Sequence, residues 1–238
     1  MAGSISLIKK RIIITGTSSG LGLELAKKFL NTGSYVWGCS RSKSNISHKN
    51  YKHTIVDLEK IIQINKWINK IKRETMGKLD ILILNAAYYK RSLNFFENEK
   101  DIIKTISINL ISPMLLIKKI TELMFKKNKG MIVFFSSSAV VIKDIGTSSY
   151  SSSKAGLEIF AKILNKELKK FNIKIFIIRI NYIKTKLSKA LDKQKVKKLQ
   201  KKFSTNRFKN SSQVYQTILN LFNKKEKNQN ILISDKLR

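Results

Sequence analysis

The most constraining feature of the sequence is the stretch Arg11–Gly22, which reads Arg-Ile-Ile-Ile-Thr-Gly-Thr-Ser-Ser-Gly-Leu-Gly. Its three consecutive isoleucines predict a short strand buried on both faces, as in a parallel sheet covered by helices. Gly16, Gly20 and Gly22 follow at the spacing G-x-x-x-G-x-G. Glycines at these places allow a sharp turn, a close approach of the backbone to a phosphate and tight packing of a helix on the strand.

The residues after the turn predict an amphipathic helix that begins near Ser19. Leu21, Leu25 and Phe29 lie on one side of such a helix, and charged residues lie largely on the other. The unpaired N–H groups and the positive dipole end of this helix would face the turn, where they can bind the phosphates of a dinucleotide. The predicted phosphate-binding residues are Gly16, Ser18, Ser19, Gly20, Leu21 and Gly22.

The rest of the 238-residue chain alternates between short apolar runs and amphipathic stretches, without an internal repeat or a dividing linker. This alternation predicts one domain, residues 1–238, in which helices cover both faces of a doubly wound, mostly parallel sheet. Such a three-layer α/β Rossmann fold binds ligands at the carboxyl ends of its strands. The expected strands are 11–15, 35–39, 54–56, 80–84, 131–135, 174–180 and 231–233, and the longest expected helix is 99–125.

Ser40 and Arg41 end the second predicted strand, at a position that faces the adenosine ribose in a dinucleotide site. An acidic residue there would hydrogen-bond the 2′-hydroxyl and repel a 2′-phosphate. An arginine can instead pair with a phosphate through its planar guanidinium. The sequence therefore favours NADP(H) over NAD(H), the alternative being that Arg41 is an ordinary solvated surface residue.

Two further strand ends supply predicted contacts to the cofactor. Asp57 follows the third strand, and we expect it either to cap the next helix or to accept a hydrogen bond from the adenine amino group, with Leu58 beside it. Asn85, Ala86 and Ala87 follow the fourth strand, where small residues let a cofactor lie against the backbone.

Tyr150 and Lys154 lie four residues apart in a helix predicted to begin near residue 149, so they share one face of that helix. An ammonium group beside a tyrosine stabilises the phenolate, and we expect it to lower the tyrosine pKa toward the range useful for proton transfer. The preceding strand ends in the serines 136–138. This arrangement predicts an acid–base site, although the same spacing alone is common on helix surfaces.

Pro113 is the only proline of the chain and falls inside the expected helix 99–125. Proline cannot donate to the carbonyl four residues earlier, which is that of Asn109. We therefore expect a bend there and an Asn109 carbonyl that can hold a water, with an incidental kink as the alternative.

The chain carries 48 Lys and Arg against 15 Asp and Glu, a formal net charge of +33. Such a field attracts nucleic acids, anionic membranes and acidic proteins. The lysines are spread along the sequence rather than gathered in one arm. Their distribution favours a compositional bias of an AT-rich genome over a nucleic-acid site.

The cysteine and histidine content limits the chemistry further. Cys39 is the only cysteine, which excludes an intrachain disulfide and a cysteine-rich metal site. His48 and His53 have no metal-ligand pattern around them, so no metal site is expected. No apolar run reaches the ~18 residues of a membrane span and the N-terminus lacks a signal-peptide core, so the expected location is the cytoplasm.

Taken together, these motifs resemble those of the short-chain dehydrogenase/reductase family, in its short single-domain branch. Residues 15–22 match the cofactor turn of that family, and 85–87 is similar to its Asn-Asn-Ala-Gly element. Ser137 stands 13 residues before Tyr150, as the family pattern requires. The resemblance covers residues 9–185 and implies a seven-stranded sheet of order 3-2-1-4-5-6-7. It implies the catalytic tetrad Asn109, Ser137, Tyr150 and Lys154, and further cofactor contacts from Tyr150, Lys154, Ile183 and Thr185.

The resemblance implies an NADP(H)-dependent enzyme that interconverts a carbonyl and an alcohol, with a tyrosine as general acid. A small-molecule substrate and a homo-oligomer, a dimer or tetramer, are the implied partners. One alternative is the reduction of 3-oxoacyl groups on an acyl carrier protein, whose acidity would suit a basic surface. From another class, the alternative is a non-catalytic binder of nucleic acids or anionic surfaces on a dehydrogenase scaffold. The intact tetrad argues against this alternative and against nucleic acid as a partner.

The residues that would choose the substrate carry no readable chemical code. They are expected in 88–96, 140–149 and a lysine-rich lid at 186–212, with Tyr88, Tyr89 and Phe95 as candidates to line a pocket. Two departures from the family pattern fall near this region. Ile180-Asn181 replaces the usual Pro-Gly, and the usual glycine-rich C-terminal strand motif is absent.

Overall fold

A parallel sheet forms the middle layer of the protein in the computed structural model, which describes residues 9–180, 210–223 and 232–233. Within these ranges seven strands pair in the order β3-β2-β1-β4-β5-β6-β7, and every neighbouring pair is parallel. The predicted α/β fold and strand order are confirmed, although the seventh strand has only two residues. The strands are β1 (Arg11–Thr15), β2 (Tyr35–Ser40), β3 (Tyr51–Ile55), β4 (Ile81–Leu84), β5 (Gly130–Ser137), β6 (Ile173–Ile180) and β7 (Leu232–Ile233).

Helices cover both faces of the sheet. The helices are α1 (Gly20–Asn31), α2 (Ile61–Glu74), α3 (Glu99–Ile106), α4 (Ser112–Ile120), α5 (Glu122–Phe125), α6 (Ala139–Ile142), α7 (Ser148–Leu168) and α8 (Ser211–Asn223). Apolar residues of α1 and α8 pack in one core, and those of α2, α4 and α7 pack in the other. No helix in the described part of the chain has the length and apolar character needed to cross a membrane.

The isoleucines of β1 show how the sequence produces these two cores. Ile12 and Ile14 pack against the α1 side, and Ile13 packs against the α2 side. This division follows from the alternation of side chains along a strand. All three residues are completely buried, as the apolar run predicts. The next residue, Thr15, therefore ends β1 at the sheet edge where the glycine turn begins.

The structure corrects the single long helix predicted over 99–125. Between α3 and α4 the chain forms a π-helical turn, Ser107–Ile111, in which the Ser112 N–H donates to the Ser107 carbonyl. Pro113 follows at the start of α4. A proline has no N–H to continue the regular ladder, and a wider turn before it adapts the backbone to that loss. The break thus lies in the segment that contains Asn109.

The third strand begins three residues earlier than predicted. Tyr51 and His53 belong to β3, where they lie opposite Val36 and Gly38 of β2. Pairing with β2 overrides the polar character of this segment, because an edge strand can keep polar side chains in contact with solvent. Tyr51 and His53 are therefore held next to the end of β2 rather than in a loop.

Candidate active site

The glycine turn after β1 has the shape that a phosphate-binding loop requires. Gly16 and Gly20 adopt φ angles of 78° and 60°, in the left-handed region that other residues rarely enter. A Cβ atom on Gly22 would lie 2.2 Å from the Gly16 carbonyl oxygen, so only glycine fits there. The turn and the first turn of α1 therefore depend on the glycine spacing seen in the sequence.

The N-terminus of α1 fits an anion. Ser19 precedes the helix and its side chain does not cap it, and the first turn contains no acidic residue. The N–H groups of this turn and the positive end of the helix dipole are thus available to a phosphate. Ser18 and Leu21 belong to the same segment, so the predicted phosphate-binding residues are contiguous in space as well as in sequence.

Asn85 connects β4 to the glycine turn. Its side-chain Nδ2 donates to the carbonyls of Thr15, at 2.9 Å, and Gly16, at 3.2 Å. The Thr15 Oγ1 in turn accepts from the backbone N–H groups of Asn85 and Ala86. Asn85 and Ala86, with Ala87 next to them, thus lie beside the turn as predicted, and the Asn85 amide group also holds the turn in place.

The residues predicted for the adenosine half lie at the ends of β2 and β3. Ser40 is nearly buried, whereas Arg41 is exposed. Leu58 is buried beside Asp57, whose Oδ1 accepts from the Glu59 N–H at 3.1 Å. The idea that Asp57 caps the next helix is wrong, because α2 begins only at Ile61. The contact of Asp57 with the adenine amino group stays a prediction.

Ser137, Tyr150 and Lys154 come together where β5 ends and α7 begins. The half-buried Tyr150 forms a hydrogen bond with the Ser137 side chain. The Lys154 Nζ lies 5.9 Å from the centre of the Tyr150 ring and donates to the Phe135 carbonyl at 2.9 Å. A hydroxyl, a phenol and a buried ammonium group therefore lie side by side at the carboxyl edge of the sheet.

The expected lowering of the Tyr150 pKa is not seen. Burial raises the pKa of Tyr150 to about 12, more than its hydrogen bond to Ser137 lowers it. Burial also lowers the pKa of Lys154 to about 8. The ammonium group is directed to a backbone carbonyl rather than to the phenol oxygen, so loss of water dominates both groups.

Asn109 connects the catalytic helix to the loop after β4. Its Oδ1 accepts from the Tyr88 N–H at 2.8 Å, and its Nδ2 donates to the Tyr88 carbonyl at 2.9 Å and to Ser153 at 3.0 Å. Ser153 also donates to the carbonyl of Tyr150. Sequence reasoning considered only the Asn109 carbonyl, whereas the structure shows that its completely buried side chain positions the tyrosine segment.

A family model described as short chain dehydrogenase matches residues 10–196, which include the glycine turn, Asn109, Ser137, Tyr150 and Lys154. The chain belongs to the short-chain dehydrogenase family.

One curated relative is similar to the chain in sequence, and two solved structures are similar to it in fold. The chain is 30% identical, over 223 residues and 91% of each sequence, to the 3-oxoacyl-[acyl-carrier-protein] reductase FabG of Buchnera aphidicola subsp. Schizaphis graminum. Its fold is similar to that of 4-hydroxyisoleucine dehydrogenase complexed with NADH, with a TM-score of 0.86, 21% identity, and coverage of 95% of this chain and 98% of that one. It is also similar to a gluconate 5-dehydrogenase with bound NADP, putative by its description, from Beutenbergia cavernae, with a TM-score of 0.80, 17% identity, and coverage of 91% and 90%.

Membership makes the chain an oxidoreductase that acts on alcohol and carbonyl groups with a nicotinamide dinucleotide. This assignment sets aside the alternative of a non-catalytic binder on a dehydrogenase scaffold.

Ile183, Thr185 and the lid residues 186–209 lie outside the described residues. Among the residues that the structure does describe, no group of three or more His, Cys, Asp or Glu side chains could hold a metal ion.

Sequence reasoning missed an ion pair beneath this dehydrogenase site. Glu158, only 3% exposed, accepts two hydrogen bonds from Arg179 of β6 and one from Ser136 of β5, each of 2.6 Å. The contact joins α7, β5 and β6 one helical turn beyond Lys154. One signal was present in the sequence, because Glu158 lies on the same helical face as Tyr150 and Lys154. Its partner Arg179 could not be inferred, because it comes from a distant strand.

Tyr89 is a second residue whose position only the structure reveals. Its ring packs edge-on against that of Tyr150, with centroids 4.8 Å apart. The other two aromatic candidates lie elsewhere, since the Tyr88 hydroxyl donates to Asp101 at 2.6 Å and Phe95 is almost fully exposed. Tyr89 is thus the one of the three whose ring packs against the ring of Tyr150.

We expect Arg179→Met to lower the free energy of unfolding by about 3–5 kcal/mol, because it leaves the Glu158 carboxylate buried without its cation. The double variant Glu158→Leu/Arg179→Met removes both charges and should be more stable than Arg179→Met alone. Urea unfolding of the three proteins measures both effects. Lys72→Met, which breaks a pair with Glu122 near the surface, serves as the control and should cost less than ~1 kcal/mol. Equal stability of Arg179→Met and the unmodified chain would contradict this interpretation.

Proposed function

We propose that this dehydrogenase reduces a small-molecule carbonyl with NADPH, or oxidises the corresponding alcohol with NADP, through Ser137, Tyr150 and Lys154. One observation supports the proposal above all. The Tyr150 hydroxyl is hydrogen-bonded to Ser137 at the carboxyl edge of the sheet, with Lys154 buried one helical turn away. An acid, an oxygen-binding hydroxyl and a cation thus meet beside a turn that fits the phosphates of a dinucleotide.

The role of each side chain follows from its chemistry. A bound nicotinamide supplies or accepts the hydride. Tyr150 donates its proton to the substrate oxygen, on which negative charge develops. The Ser137 Oγ accepts from the Ala139 N–H, which orients the hydroxyl, and with substrate bound its hydrogen would donate to the same oxygen. Both hydrogen bonds strengthen as the charge grows, which is the condition for stabilising a transition state.

Lys154 and Asn109 support the tyrosine. The Lys154 ammonium would hold the cofactor ribose and would favour the phenolate of Tyr150 after the proton has left. The Asn109 carbonyl, to which Pro113 cannot donate, would hold a water that connects Lys154 to solvent. The side chain of Asn109 keeps Tyr150 in register with the loop after β4.

Arg41 is the reason to favour NADP(H). It is exposed directly after β2, so a positive charge lies at the strand end that faces the adenosine ribose in a dinucleotide site. A 2′-phosphate there would gain a charge-assisted hydrogen bond. Similar folds occur with NADP in one solved structure and with NADH in another, so the fold alone does not determine which cofactor is bound.

A single domain over 1–238 and a cytoplasmic location stay predictions.

The second candidate function is the reduction of 3-oxoacyl groups carried by an acyl carrier protein. Its support is the 30% identity to a reductase named for that reaction, over 91% of each sequence. The net charge of +33 would attract an acidic carrier. The two candidate functions use the same catalytic site. They differ in whether the carbonyl group belongs to a free small molecule or to an acyl chain attached to a carrier protein.

A homo-oligomer, a dimer or tetramer, is the proposed assembly. Ile159 and Ile163 lie one turn apart on α7 and are 56% and 52% exposed, and Ile103 on α3, which packs against α7, is 64% exposed. Exposed apolar residues on neighbouring helices are typical of a surface that a second copy covers.

We expect Tyr150→Phe to lower turnover by about 100-fold or more, because it removes the general acid and leaves the ring in place. NADPH affinity should stay within twofold of the unmodified protein, as measured by fluorescence titration. Tyr35→Phe removes a hydroxyl far from the site on an exposed ring and should leave turnover unchanged. Near-normal turnover of Tyr150→Phe on a proven substrate would refute the assignment.

We expect Arg41→Asp to weaken NADPH binding by about tenfold or more, because a charge-assisted hydrogen bond to phosphate becomes a repulsion. NADH, which has no 2′-phosphate, should bind with nearly unchanged affinity. Lys43→Asp makes the same charge change two residues away on an exposed side chain and is the matched control. Equal weakening of both cofactors, or the same effect from Lys43→Asp, would count against a specific role for Arg41.

The carrier-protein candidate predicts a salt effect. For a 3-oxoacyl group on the carrier protein, kcat/KM should exceed that for a short thioester mimic and should fall as salt is added, because salt screens the attraction between opposite charges. The value for the mimic should barely change. If the two substrates give the same kcat/KM at low salt, the free small-molecule reading is favoured instead.

A further inference from the structure

A polar network lies behind the adenosine end of the cofactor site. It connects the glycine turn after β1, the segment after β2 and the edge strand β3. None of the predicted catalytic residues belongs to it. Its members are the side chains of Thr17, Ser40, Ser44, Tyr51 and His53 and the carbonyl oxygen of Ser42.

His53 is the centre of this network. Its Nε2 lies 3.0 Å from the Ser42 carbonyl and 3.2 Å from the Ser40 Oγ, and its Nδ1 lies 3.0 Å from the Tyr51 hydroxyl and 3.3 Å from the Thr17 Oγ1. A carbonyl oxygen can only accept, so the hydrogen must be on Nε2, and Nδ1 accepts from a hydroxyl. The neutral ring therefore has a hydrogen-bonding partner at each nitrogen. Burial lowers the pKa of His53, which also favours the neutral form.

The network requires a glycine at position 38 of β2. The Tyr51 hydroxyl donates to the Thr17 Oγ1 at 2.9 Å across β2. A Cβ atom on Gly38 would lie 2.3 Å from the Thr17 Oγ1 and 2.6 Å from the Tyr51 hydroxyl. The two hydroxyl groups can meet only because this strand position has no side chain.

The network holds the backbone on both sides of Arg41. The Ser40 Oγ donates to the Ser42 carbonyl at 2.9 Å, and His53 binds the same carbonyl. The Ser44 Oγ donates to the Thr17 carbonyl at 3.0 Å and so attaches the segment to the glycine turn. Arg41 itself remains exposed between these anchored residues.

We propose that His53 and Tyr51 are positioning residues that give this protein its preference for a 2′-phosphate on the adenosine ribose. By anchoring the segment 40–44 to the turn, they fix the backbone from which Arg41 reaches the phosphate. The segment is then already ordered in the folded protein, so less conformational entropy is lost on binding. The affinity for the phosphorylated ribose rises as a result. The inference rests on the proposed use of NADP(H).

The test compares two adenosine probes that need no catalysis, adenosine 2′,5′-bisphosphate and AMP, by calorimetric titration. The unmodified protein should bind the bisphosphate more tightly. Tyr51→Phe and His53→Ala should reduce that preference by about three- to tenfold, the cost of ordering one long side chain and its loop. AMP affinity should change less than twofold. His53→Gln, whose amide can still donate to the Ser42 carbonyl, should retain most of the preference.

His48→Ala is the matched control, because the His48 side chain is exposed and accepts from the Asn50 N–H of its own turn. The His48 carbonyl, which alanine retains, accepts from the Tyr51 N–H. It should behave like the unmodified protein. Equal loss of both probes in the His53 variant would mean a general structural role and would overturn the proposal, as would an unchanged preference. If His53→Ala does not fold, Tyr51→Phe, which removes only one oxygen atom, is used instead. Its ratio of bisphosphate affinity to AMP affinity then tests the proposal. If the unmodified protein binds both probes equally, the NADP(H) preference itself is wrong and the proposal is lost with it.

Discussion

The site depends on one close contact, the side-chain amide of Asn85 held between the glycines of the first turn. Cβ atoms on Gly16 and Gly22 would lie 2.8 and 2.4 Å from its Nδ2. The amide donates to the carbonyls of Thr15, at the end of β1, and of Gly16, in the turn. The contact therefore fixes β4 against the turn and directs the N-terminus of α1 toward the place of the phosphates.

The catalytic helix is held by polar contacts from three directions. Asn109 links it through Ser153 to the loop after β4. Lys154 reaches the carbonyl of Phe135 in β5, and Glu158 binds β6 and β5 through Arg179 and Ser136. These contacts are buried or partly buried, where a lost partner is costly, so the register of α7 on the sheet is well determined. These contacts of α7 therefore fix the position of Tyr150.

The charged groups at the catalytic and adenosine ends of the predicted site differ in their contact with water. At the catalytic end, burial raises the pKa of Tyr150 to about 12 and lowers that of Lys154 to about 8, so both groups favour their neutral forms more than in water. At the adenosine end, the side chain of Arg41 is exposed to solvent, while the hydrogen bonds of His53 hold the backbone around it. The predicted acid–base pair is thus largely shielded from water, whereas the side chain of Arg41 is in contact with it.

The sequence by itself determined the sheet, the glycine turn and the pairing of Tyr150 with Lys154, because strand alternation, glycine conformations and helical spacing are local properties. It also determined that Arg41 follows β2. Only the tertiary structure decided that His53 and Tyr51 anchor the segment around Arg41, that Arg179 neutralises Glu158 and that burial sets the Tyr150 pKa. Each of these depends on residues far apart in the chain, and on how much water their packing removes, which no local pattern encodes.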